Sequence, residues 1–124
     1  MANRRCISNS VIETDDFLSM SNDGKLVYFM LNMNADDWGF VGNPKAIARQ
    51  NACRYECLEE LEKAGFITRF DSGVVHITHW LLHNTLKNDR IPQTRYKNEL
   101  NVVYPEEIKN KLMKTQKTQN TNNH

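Results

Sequence analysis

A chain of 124 residues with 40% hydrophobic content can bury one modest core, so a single domain is expected. Its apolar runs are only a few residues long, which indicates neither secretion nor membrane insertion and points to a cytoplasmic location. The formal net charge of +1 conceals a split: residues 1–80 hold eight Lys/Arg against eleven Asp/Glu, about −3, and residues 81–124 hold eight against four, about +4.

Thr14 reads as the cap of a short helix over Asp15 to Met20, whose first two aspartates suit the positive end of a helix. Ser21 caps a longer helix reaching Asp37, amphipathic to mostly buried through Leu26, Val27, Met30, Leu31 and Met33. Asp36 and Asp37 oppose the dipole at its far end, so they are expected to fix the turn into Trp38-Gly39 by hydrogen bonds. Trp38 to Val41 reads as a brief strand. Asn43 is then a cap, and Pro44 the first residue of a helix running to about Gln50. A third helix covers Cys53 to Ala64 and is closed by Gly65. Phe66 to Phe70 and Val74 to Thr78 form a hairpin about the turn Asp71-Ser72-Gly73. His79 to Leu86 adds a helical turn that packs Trp80 with Leu81 or Leu82, and a short helix is expected from Pro105 to Met113. Lys114 to His124 has no apolar residue and reads as disordered.

Helix, short strand, helix, helix and hairpin is the order of a winged helix. The fold class is therefore α+β, mainly α: a winged helix-turn-helix with a β-hairpin wing and a C-terminal helical and basic extension. The domain is placed at residues 1–100, the helix-turn-helix at about 44–64, the wing at about 66–78 and a polar linker or tail at 101–124.

Helix 53–64 occupies the position that would enter the major groove. At 100° per residue it turns Cys57, Leu58, Leu61 and Ala64 inward and Tyr55, Glu56, Glu59, Glu62 and Lys63 outward. Three carboxylates facing phosphates are repelled, and only Lys63 on that face and Arg54 in the first turn compensate. The better nucleic-acid candidates are Arg4 and Arg5 at the start, Arg69 and His76 on the wing, and Lys87, Arg90, Arg95 and Lys97 in the tail. Tyr96 is placed there for stacking or a phosphate hydrogen bond, so weakly selective, salt-sensitive backbone binding is expected. The acidic face also suits a basic partner, including another copy of the chain, and that reading stays open.

Three cysteines point to reduced thiols, with Cys53 and Cys57 as packing residues. Cys53 and Cys57 with His76, His79 and His83 have poor spacing for a structural zinc site, so no metal or other cofactor is expected. Neither a phosphate loop of the Walker kind nor a nucleophile with a neighbouring base stands out, and a non-enzymatic protein is expected.

Four segments occur in the order of one family: Met1 to Arg5, Asn34 to Ile47, Asp71 to Ile77, and His79 to Tyr96, the last including Trp80, His83 and Asn84. On these the chain resembles the N-terminal domain of phage replisome organisers, relatives of DnaD-like replication initiators. The resemblance covers roughly residues 1–100 and departs at Leu81-Leu82, where the family commonly carries lysine or arginine. It implies an origin-binding initiator domain in a bacterial host cell that contacts DNA and forms a homo-oligomer. It further implies that a helicase loader or helicase is engaged through a C-terminal region missing from this chain. A transcriptional regulator reading bases with helix 53–64, or an interaction module without DNA binding, are the alternatives.

Overall fold

Local caps set the first helices of the computed structural model, which describes residues 5–84 and 94–105. A single turn, α1 (Asn9–Ile12), precedes α2 (Asp15–Leu18), where Thr14 Oγ1 accepts the Phe17 N–H at 3.2 Å. Ser21 Oγ likewise accepts the Gly24 N–H at 3.0 Å and starts α3 (Asn22–Asn34). Glu60 from another helix then accepts the Ser21 hydroxyl at 2.6 Å and the Ser21 N–H at 3.2 Å. A carboxylate thus reaches back to the cap residue as in a capping box, but from across the fold.

Helix α3 stops at Asn34, short of the expected Asp37, because Ala35 turns extended with ψ 152°. Asp36 Oδ1 accepts the N–H groups of Trp38 at 2.9 Å and Phe40 at 3.0 Å, the turn-fixing task expected of it. Gly39 follows with φ +89°, and a Cβ there would sit 2.6 Å from Trp80 Cγ, so both backbone and space require glycine. Strand β1 (Phe40–Val41) leads into α4 (Pro44–Gln50), which opens on Pro44 without a side-chain cap from Asn43.

Helix α5 (Glu56–Lys63) begins later than Cys53, because Ala52 takes φ +57° and reverses the chain ahead of it. Its end is a Schellman motif: Gly65, φ +85°, donates to Glu62 O at 3.0 Å and Phe66 donates to Leu61 O at 2.9 Å. Cys57, Leu58 and Leu61 point inward as expected, whereas Ala64 is exposed. Strands β2 (Ile67–Arg69) and β3 (Val75–Ile77) close through Gly73 at φ +90°. Helices α6 (Trp80–His83) and α7 (Lys97–Val103) complete the described chain.

The three strands form one antiparallel sheet in the order β1-β3-β2. Register is fixed by Phe40 opposite His76 on one side of β3 and by Ile67 opposite Ile77 on the other. Because β3 is central, alternate residues feed two cores. Val75 and Ile77 join Val27, Leu31, Ile47, Leu58 and Leu61 beneath α3, α4 and α5. Val74 faces the other way, with Trp38, Phe40, Leu100 and Tyr104. Trp80 and Leu81 pack on the first core while Leu82 is 63% exposed, which settles the choice between the two leucines.

The described chain is thus α+β and mainly helical, with a small antiparallel sheet, compatible with the winged helix expected. Helix α7 was not foreseen: three polar residues open it, and its apolar positions are few. It carries packing past residue 100, since Tyr104 is buried. The helix expected from Pro105 to Met113 and the tail 114–124 lie outside the described residues, apart from Pro105 itself.

Candidate nucleic-acid interface

Sequence reasoning placed cations at both ends, on the wing and around α5, and the fold treats them differently. Arg4, Lys87 and Arg90 lie outside the described residues. Arg5 turns inward: its Nη2 donates to Ala35 O at 2.8 Å, its Nη1 lies 3.5 Å from Asp37 Oδ1, and its guanidinium sits 5.2 Å from the Trp80 ring centre. With only 7% of its side chain exposed, Arg5 is a clamp between the N-terminal segment and the α3–β1 turn, not a phosphate contact.

His76 is also withdrawn from the expected interface, at 3% exposure. A hairpin wing flanked only by solvent would expose one face of its second strand, but Trp38, Phe40 and Tyr104 cover the face of β3 that carries His76. His76 Nε2 lies 3.0 Å from Trp38 O and 3.1 Å from the Tyr104 hydroxyl. The carbonyl can only accept, so Nε2 carries the proton. Burial pulls the pKa down to about 4, partly offset by that backbone hydrogen bond, and keeps the ring neutral.

Tyr96 packs its ring 6.3 Å from Phe40 and lies against Gly42, where a Cβ would collide with its hydroxyl. It anchors the start of α7 and offers no free stacking platform. Its neighbours Arg95 and Lys97 are exposed. Thr94 holds this segment by donating its hydroxyl to Asp36 Oδ2, so two cations stand close to the turn that feeds β1.

Around α5 carboxylates outnumber the cations. Arg69 on β2 lies 3.6 Å from Glu62 on α5, with both side chains partly exposed. Lys63 shares a cleft with Asp16, Glu56, Glu59 and Glu60, and Arg54 one with Asp23, Glu56 and Glu60. Both cations are thus set among carboxylates, and the outward face of α5 stays acidic, as its sequence indicated.

A groove of about 390 Å³ runs between the start of α4 and the hairpin, floored by Leu58, Phe70 and Val75. Its rim carries Lys45 and Arg69 beside Asp71. Lys45 is a cation that sequence reasoning passed over; the signal was its position one residue after Pro44, at the mouth of the helix facing the hairpin.

The histidines and cysteines do not converge. His83 Nδ1 accepts the Ser8 N–H at 2.8 Å and its Nε2 meets the Tyr28 hydroxyl, while Cys53 and Cys57 are buried near α5. Burial raises the Cys57 thiol to about 11, chiefly by desolvation, which makes it a packing group. Among the described residues, no three His, Cys, Asp or Glu side chains gather in a way that could hold a metal ion. No helix among them is long and apolar enough to cross a membrane. No family model, curated protein or solved structure matches this chain.

Proposed function

We propose that this chain is a non-enzymatic winged-helix domain of a phage or prophage DNA-replication initiator, which binds DNA at the origin and self-associates inside the bacterial host. The observation that carries the reading is the order α3, β1, α4, α5, β2, β3 with strands arranged β1-β3-β2. In that arrangement α4 and α5 form the helix-turn-helix and the β2–β3 hairpin is the wing. DNA contact falls on Lys45, Arg69, Arg95 and Lys97, which reach phosphates, rather than on the acidic face of α5. A helicase loader or helicase is the partner to which such a domain delivers the origin.

The test is retention of duplex and single-stranded DNA by the full chain across a salt series. Steep salt dependence is expected, and Lys45→Ala and Arg95→Ala should each lower the salt slope by about 1 while weakening all sequences alike. The acidic α5 face favours a second reading, a protein-interaction module. No retention at the lowest salt, with the fold intact, would establish that reading over the first.

A further inference from the structure

Helix α3 is apolar on two sides. Its inner side is Gly24, Val27, Tyr28, Leu31 and Asn32. At 100° per residue the positions directly opposite are Asn22, Leu26 and Met33, flanked by Phe29 and Met30. Leu26 is 42% exposed and Met33 48%, while Phe29 and Met30 are only partly covered. A helix that packs on one side alone carries polar and charged residues on the other. Between Leu26 and Met33, α3 carries no charge at all. The other large exposed apolar side chains, such as Leu18, Leu82 and Val102, are scattered over separate elements and form no such row.

We infer that this stripe is the contact surface for a second copy of the chain, packed antiparallel through α3 about a two-fold axis passing between Phe29 and Met30. The inference deepens the self-association in the proposed function and rests on it. The stripe is self-complementary: Leu26 and Met33 lie equally far from the axis, so each Leu26 meets the Met33 of the other copy. Phe29 and Met30 each fall beside their own counterparts. Charge selects the direction. In the antiparallel pair Lys25 overlies the last turn of the other α3, a negative helix end with no basic residue within the turn, where Arg5 of the same chain meets only the Ala35 carbonyl. A parallel pair would set Lys25 against Lys25.

Sedimentation velocity of the full chain over a dilution series tests this. A dimer is expected, and both L26E and M33E should weaken it, L26E about a hundredfold or more because it buries an unpaired carboxylate, M33E by less because Lys25 of the other copy lies over that turn. Far-UV melting of either variant should match the parent at concentrations where both are single chains, because both positions face water there. Register is tested in a C6S background with oxidised glutathione. L26C together with M33C should give a covalent dimer and neither alone should, as like positions are separated along the axis by roughly 10 Å.

A monomer at every concentration overturns the inference, as does a dimer indifferent to both glutamates or a single cysteine that cross-links as well as the pair. A monomer in which L26E melts earlier also overturns it, by showing that the chain covers its own stripe. DNA retention on the same samples separates the two ideas. A monomer that holds DNA removes this inference with the self-association it rests on and leaves DNA binding standing. A dimer indifferent to both glutamates removes the α3 interface alone, and a dimer that holds no DNA removes DNA binding and leaves the interface.

Discussion

His76 is the side chain whose placement most changes the reading of its chemistry. On the hairpin it reads as a titratable group facing phosphates; in the fold it is enclosed by Trp38, Phe40 and Tyr104. The unfolded chain protonates this ring near pH 6.5, whereas the folded chain does so only at about 4. Between those values the unfolded state binds more protons, so stability is fully present above about pH 6.5 and is lost as the pH falls toward 4. The shift corresponds to about 3 kcal/mol over that window. His83, also lowered by burial, acts in the same direction. Thermal melts from neutral to acidic pH should fall steeply, and His76→Gln should flatten the fall, because glutamine keeps a donor for Trp38 O and does not titrate. An unchanged slope in that variant would show that the carboxylates dominate.

At the scale of the element, the junction of α3 and α5 is tied by one serine. Ser21 caps α3 and hands its own hydroxyl and N–H to Glu60, so Ser21→Ala loses the cap and leaves that carboxylate one donor short. A loss of about 1–2 kcal/mol is expected, read as a lower denaturation midpoint with an unchanged slope. Such local devices were legible in the sequence: the Thr14 and Ser21 caps, Gly65 after α5 and the Gly73 turn each depend on a few neighbouring residues. Arg5 and His76 were not, because what buries them is distant in the chain. For Arg5 it is the α3–β1 turn and Trp80; for His76 it is β1 on one side and Tyr104 on the other. Helix α7 was missed for a related reason. Only packing against the sheet gives its sparse apolar residues a purpose, and periodicity alone does not register them.

For the whole molecule, the sheet is covered on both faces, by α3, α4 and α5 on one and by α7 on the other. The second cover is thin, so Leu100→Ala should cost about 2–4 kcal/mol and show as a large drop in melting temperature. Little change would mean that α7 is dispensable and that the first core holds the fold alone. The α3–β1 turn is gripped from two distant parts of the sequence. Arg5 is bonded to Ala35 O, and Tyr104 donates to Trp38 O at 3.3 Å, four and one residues from Gly39 by the numbering. One short turn thus takes anchors from residue 5 and from residue 104, so Arg5→Ala or Tyr104→Phe should each speed amide hydrogen exchange across residues 35–39 before it does so in the first core.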